Sequence, residues 1–377
     1  MVFPLTDTFM EKTPRVFSCG GKQETPARYN AGHLMSAFEG NEEEKAAFGQ
    51  LCRAAMSIPA GYDVLSQAFS AGYRFAYEAG MDEGGQSGAC DAGTKSILLN
   101  PRCSFEAQLS TLVHEARHAF QNENGPATSA FYNTADMIKL HRAIEADAAA
   151  YEMSFVVQAK EAYPRMYEET AARGFPMLPA YEKALAETGD GRAAMEACFK
   201  SWYVCAPYQE RYDKWFIDDI RYIAGHGQKR GYDGYFMAET SSEKILNMCR
   251  LNGRPYVSPE FLETPQAFSL SDADRETVLK ITRSYADSMG RISSDRSVER
   301  MFSYDDPTGE KKRAKEAAEQ EALRQKRLRD QALLDARRRT AASGMRTKPT
   351  VVFMDEPEKK GLFDKLKERL TRLKGGR

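Results

Sequence analysis

The sequence predicts an α+β fold that is mainly helical, with a small sheet beside one particular helix and a charged helical tail after it. Three observations carry this. Between residues 41 and 300, apolar side chains recur at three- and four-residue spacing over long stretches. Two short strand-like runs, "GYRFAYEAG" and "TKSILLNP", immediately precede the most regular of those stretches. Beyond about residue 305 apolar residues thin out, and Lys, Arg, Glu and Ala take over.

Net charge is −1, but it is unevenly spread: residues 310–377 carry +10 and residues 1–309 carry −11. An acidic body joined to a basic tail points to a separate environment or partner for the tail. Seven cysteines, an odd number with no C-x-x-C spacing, argue against a disulfide framework or a thiolate metal site and favour a reducing compartment. Pro4 and Asp7 interrupt the N-terminus where a secretory signal would be apolar, and no run of 18 apolar residues occurs. A cytoplasmic location is expected.

Residues 1–40 read as irregular, broken by Pro4, Pro14, Pro26 and Gly20-Gly21. Asn41 then caps a helix in "NEEEKAAFGQLCRAAMS", whose first turn is acidic. In "GYRFAYEAG", Tyr73, Phe75 and Tyr77 share one strand face; "MDEGGQSGACDAG" reads as turn, and "TKSILLNP" as a second strand stopped at Pro101. Ser104 caps the next helix, where Leu109, Leu112, Val113, Ala116 and Phe120 form an inward stripe. Gly125-Pro126 ends it, and a second long helix is expected over about 127–160. Helices continue to 290, with Pro207 dividing one pair and Ser271 capping the stretch that buries Val278, Ile281 and Tyr285. Residues 41–300 thus form one domain, 301–349 a charged helical linker, and 350–377 a basic amphipathic helix.

The stretch "STLVHEARHAFQN", residues 110–122, places His114 and His118 one turn apart with Glu115 between them. This H-E-x-x-H spacing puts two imidazoles on one helix face and a carboxylate beside them, the arrangement zinc hydrolysis uses. With five histidines in the chain, chance would produce it about five times in a thousand. Carboxylates on the next helix come at a distance suited to a third ligand: Glu145, with His141 and Asp147 as rivals. Gln121 and Asn124 stand where the extended three-histidine pattern needs Gly and His, which excludes that subclass.

"ILLNP…LSTLVHEARHAFQN…IEADAAAYE" resembles the zincin metallopeptidases of the Glu-ligand type, and most of all an uncharacterised bacterial family of metallopeptidases, over about residues 60–220. The resemblance implies a zincin-like domain in which His114, His118 and Glu145 bind zinc and Glu115 is the general base. It also implies that the "KSILLNP" strand is a sheet edge on which an extended peptide or protein substrate pairs its backbone. Arg117 departs from the zincin pattern, standing at a position normally uncharged, and reads as an exposed side chain. Asp147 and Asp136 are candidates for the carboxylate behind a ligating imidazole, and Tyr151, His141 and His226 for stabilising an oxyanion.

Other features have plainer readings. Cys198 and Cys205 read as core positions of one helical face, and Trp202 and Trp215 as packing of the helical body. The basic run at Arg337–Arg339 lacks aromatic interleaving, so a solvated helix is favoured over nucleic-acid binding. Residues 358–377 carry eight Lys/Arg against three Asp/Glu along one leucine stripe, suiting an anionic membrane or a partner protein's groove. The competing functions are a non-catalytic scaffold or adaptor working through that tail, and a metal-dependent hydrolase of a non-peptide substrate.

Overall fold

Asn41 caps the first helix, α1 (Glu42–Met56), through a capping box: its side chain accepts from the Glu43 and Glu44 amides, and Glu44 accepts from the Asn41 amide. The computed structural model describes residues 36–84, 86–126, 129–291, 295–301, 303 and 310–342. Residues 1–35 of the N-terminal segment expected to be irregular, and the basic helix expected at 350–377, lie outside these residues. The chain divides into two units, Met1–Lys311 and Lys312–Arg377.

After α1, Pro59 starts α2 (Pro59–Ser70), and β1 (Arg74–Tyr77) follows. The stretch read as turn contains a strand, β2 (Gly88–Asp91), which forms a hairpin with β3 (Ser96–Leu99). Its turn was encoded locally: Asp91 accepts from the Gly93 and Thr94 amides, and Lys95 takes a positive φ of 49°. The sheet order is β1-β3-β2, with β1 parallel and β2 antiparallel to β3. The "KSILLNP" strand is therefore central, which corrects the expectation that it forms an edge. Ile97 and Leu99, on one face of β3, join Phe75 in the core, and the strand has both its neighbours already paired.

The helix bearing the motif, α3 (Phe105–Asn124), is capped by Ser104 as expected and packs under β2 and β3. Leu109, Leu112, Val113 and Ala116 are fully buried, while Phe120 is half-buried at the margin. The second long helix, α4 (Thr134–Gln158), starts later than expected because Ser129–Phe131 forms a separate turn and Asn133 supplies the cap. Nineteen of its residues are buried, so α4 runs through the core rather than along the surface. Four helices then pack around it: α5 (Pro164–Ala172), α6 (Met177–Thr188), α7 (Gly191–Trp202) and α8 (Ala206–Arg230). Pro207 lies in the first turn of α8, where its missing amide costs nothing. Cys198 sits on α7 and Cys205 in the break before α8, so both are buried but not on one helical face.

The chain returns across this body through the short helix α9 (Ser242–Leu246) and the small ladder of β4 (Arg250–Leu251) and β5 (Arg254–Pro255). Two single turns, α10 (Pro259–Leu262) and α11 (Pro265–Phe268), lead to α12 (Asp272–Ser288) and then α13 (Ser297–Arg300). Ser271 caps α12, and Val278 and Tyr285 are buried as expected, with Ile281 half-buried. Finally α14 (Glu310–Ala342) is a 33-residue charged helix whose described side chains are exposed. No helix among the described residues is long and apolar enough to cross a membrane.

Candidate metal centre

His114 and His118 project from the half-buried face of α3, and Glu145 projects from α4 towards both. His114 Nε2 is 3.5 Å from Glu145 Oε2, and His118 Nε2 is 3.7 Å from Glu145 Oε1. Among the described residues these three form the one group of His, Cys, Asp or Glu side chains able to hold a metal, with one ligand atom from each lying within 4.8 Å of the others. A tetrahedral zinc with bonds of about 2.0–2.1 Å holds neighbouring ligand atoms about 3.3 Å apart. The donor set therefore fits such an ion with little movement, and three protein ligands leave a fourth position open.

The outer nitrogen of each ring is held by a side chain outside the three-residue cluster. His114 Nδ1 lies 3.2 Å from Glu152 Oε2, on α4 two turns beyond Glu145, and a carboxylate can only accept. His118 Nδ1 lies 2.7 Å from Gln121 Oε1. The amide of Gln121 is oriented by two donations from its Nε2, to the Ile144 carbonyl (2.8 Å) and to Asp147 Oδ2 (2.7 Å). Each ring is thus tied through Nδ1, and Nε2 is the atom turned towards Glu145; an ion bound there would take the place of any Nε2 proton.

Charge at the centre is set by this crowding. Burial alone would depress the His114 imidazole, but Glu145, Glu152 and Glu115 outweigh it and hold its pKa well above the usual range. Burial would raise Glu145, yet His118, His114 and a hydrogen bond from Tyr212 on α8 hold it down at about 2. Glu115 is buried beside them, and burial raises its pKa against the opposing pull of the two histidines. Strand β2 passes directly over it. A Cβ on Gly88 would lie 2.6 Å from Thr111 Cγ2 and 3.0 Å from Glu115 Cγ, so this approach needs a residue without a side chain.

Several expected partners lie elsewhere. Asp147 touches neither imidazole; it accepts from Arg117 Nε and Nη2, Gln121 Nε2 and the Tyr256 hydroxyl, and reaches His118 only through Gln121. Asp136 accepts from Asn133 and from the Thr240 amide. The Tyr151 hydroxyl donates to the Arg250 carbonyl, and His226 pairs with Tyr235. His141 sits one turn before Glu145 but faces Asp219 at 3.7 Å. Arg117 is 1% exposed rather than solvated. Its guanidinium pairs with Asp147, donates to the Met248 and Arg250 carbonyls, and lies 3.7 Å from the Tyr151 ring centroid.

Three groups escaped the sequence reading. Glu152 is seven residues beyond Glu145 on the same helical face and Gln121 is three beyond His118, so helical spacing could have found both. Tyr212 comes from a helix far along the chain, and nothing local in "YQERYDKWF" marks it.

Residues 31–256 of the chain match a family described as a putative metallopeptidase family (DUF6782). No curated protein and no solved structure matches the chain.

Proposed function

Since the chain belongs to this metallopeptidase family, we propose that it is a zinc-dependent peptide hydrolase with a zincin-like centre. His114, His118 and Glu145 hold the ion, and Glu115 is the general base. The observation that carries this reading is the convergence of two imidazole Nε2 atoms and one carboxylate at ion-binding distance, with a second, buried carboxylate alongside. Zinc, when bound, supplies a Lewis acid that lowers the pKa of a water from about 15.7 towards about 7 and polarises the scissile carbonyl.

Glu115 accepts the proton of the attacking water and delivers it to the departing amine. Its burial keeps that carboxylate out of bulk water, and its raised basicity suits a group that must take a proton and then release it. Glu152 and Gln121 fix the two imidazoles, while Tyr212 lies beside Glu145 and helps to keep it ionised. The substrate lies extended along β2, the edge strand over Glu115, where backbone pairing positions the scissile bond without reading side chains. The proposed substrate is a peptide or protein, and the proposed compartment is the cytoplasm.

The test is elemental analysis of chelator-free protein. One zinc per wild-type chain, lost in Glu145→Ala and retained in Glu115→Gln, is the expected result. Zinc retained in Glu145→Ala would move the third ligand elsewhere. Wild type that takes up no zinc even on reconstitution would overturn the reading and leave the scaffold. Glu152→Ala should keep the three ligands yet weaken zinc affinity about 10- to 100-fold, measured by competition with a chromogenic chelator. Unchanged affinity would mean that His114 is oriented by its helix alone.

A further inference from the structure

The expected packing role of the two tryptophans holds for Trp202, which is fully buried, but Trp215 is 41% exposed. That difference belongs to a pattern. Tyr208, Tyr212, Trp215, Asp219, Tyr222 and His226 recur along α8 at intervals of three and four residues, forming one stripe. The stripe begins beside the candidate metal centre, because the Tyr212 side chain lies next to Glu145 and the Tyr212 ring meets Trp215 edge-on at 5.0 Å. It ends in an aromatic cluster: Tyr222 stacks on His226, His226 meets Tyr235, and Tyr235 stacks on Phe131 at 5.7 Å.

Exposed large apolar side chains are concentrated here. Trp215, Tyr222, Tyr232, Phe131 and Met237 all lie on this stripe or its terminal cluster, and Met237 is tied to Phe131 through the backbone. Among the other described residues of Met1–Lys311, only Phe105 and Val204 are comparably exposed. Scattered apolar exposure is ordinary, whereas exposed aromatics gathered on one helix face that starts beside a candidate catalytic centre suit a binding surface, here in two groups separated by Asp219.

We propose that this α8 stripe is the substrate-reading surface of the enzyme, taking an extended, unfolded polypeptide segment rich in aromatic or large aliphatic side chains on one side of the scissile bond. The proposal rests on the peptidase reading for what the surface serves, but its geometry is independent of the ion. From Tyr212 to His226 the helix rises about 21 Å, which spans about six residues of extended chain. Trp215 receives a side chain close to the scissile bond. Tyr222 and the Phe131 cluster receive one several residues further on. An enzyme built this way is an endopeptidase that needs length, and folded proteins cannot lay such a segment along the helix.

The test uses full-length, zinc-loaded Glu115→Gln, which binds without turning over, with Trp202→Phe added so that Trp215 is the only indole. Trp202 is suited to this because its indole N–H is buried without a hydrogen-bond partner. The probes are unstructured twelve-residue peptides with Phe or Leu at alternate positions, against the same peptides with Ser there. Their affinity is read by anisotropy of a terminal dye and their contact with the stripe by Trp215 emission. The expected result is a shift in Trp215 emission, with binding about tenfold tighter for each aromatic contact engaged. Trp215→Ala and Tyr222→Ala should each remove about that factor from the Phe series and leave the Ser series unchanged; both side chains are exposed, so neither change threatens the fold.

Binding with the same pattern by a chain that takes up no zinc would support the surface while overturning the peptidase reading. Cleavage by the active enzyme that ignores Trp215→Ala, Tyr222→Ala and peptide length would overturn the surface and leave that reading standing. If no peptide in the Phe or Leu series is bound, the surface is overturned whether or not zinc is present.

Discussion

Replacing Arg117 by Met is expected to destabilise the folded chain by about 3–5 kcal/mol, a large share of the roughly 5–15 kcal/mol that holds a typical domain folded. The reason is the company the guanidinium keeps. Arg117 is buried against the Asp147 carboxylate, with Nε to Oδ2 at 2.7 Å, and its Nη2 also donates to the carbonyls of Met248 and Arg250. Its planar face covers the rings of Tyr151 and Phe120 at 3.7 and 4.2 Å. Methionine fills much of that volume but leaves Asp147 as a buried anion supported only by Gln121 and Tyr256. The unpaired charge, not the lost attraction, dominates the cost. Urea unfolding followed by circular dichroism measures it, and adding Asp147→Leu to Arg117→Met should recover much of the loss. A single-variant cost below about 1 kcal/mol would mean that water reaches Asp147 and that the pair is not truly buried.

Glu115→Gln should lower turnover between a hundredfold and ten-thousandfold while leaving zinc content and the far-ultraviolet spectrum unchanged. The amide keeps the size of the side chain under Gly88 and cannot accept a proton at neutral pH. The clearest readout is kcat on a cleavable peptide, with KM within a few-fold of wild type, because a general base at this position would act on the reacting water rather than on bound substrate. Turnover within tenfold of wild type would remove Glu115 from the role of base. The pairing of this result with zinc content matters: loss of both at once would indicate that the substitution disturbs His114 and His118 rather than the chemistry.

What could be read from the sequence was whatever short-range geometry determines. The caps at Asn41, Ser104 and Ser271, the buried stripe of α3, and the shared face of His114 and His118 depend on residues within one or two turns of each other. Glu145 could be reached because one helix-to-helix return brings it back to the motif. The edge of the sheet could not. "SGACD" carries small residues, no alternation and many turn formers, and it becomes a strand because β3 offers it a partner and Gly88 lets it lie against Thr111 and Glu115. Arg117 was misread for a related reason. A helical position with a charged side chain is normally solvated, and what buries this one is a set of backbone carbonyls more than 130 residues later. Tyr212 likewise has meaning only once α8 has packed beside α4.

The guanidinium of Arg142, buried on α4 as Arg117 is on α3, has a consequence for the order in which this protein can be made. Arg142 pairs with Asp213 on α8 and donates to the carbonyls of Ala267 and Ser269, while Arg117 needs the carbonyls of Met248 and Arg250. All four carbonyls are synthesised more than a hundred residues after the helices they satisfy. A nascent chain that has just emitted Glu145 therefore has all three residues of the candidate metal cluster, but not the carbonyls that meet the arginines of the two helices carrying them. Only when about residue 270 has cleared the ribosome can both arginines enter the interior with their donors met. The family match stops at residue 256, so a fragment cut at that boundary would contain the entire centre and still lack the two carbonyls that close over Arg142. Assembly of the candidate centre is thus coupled to near-completion of the body around it, well after the three residues of the cluster have been made.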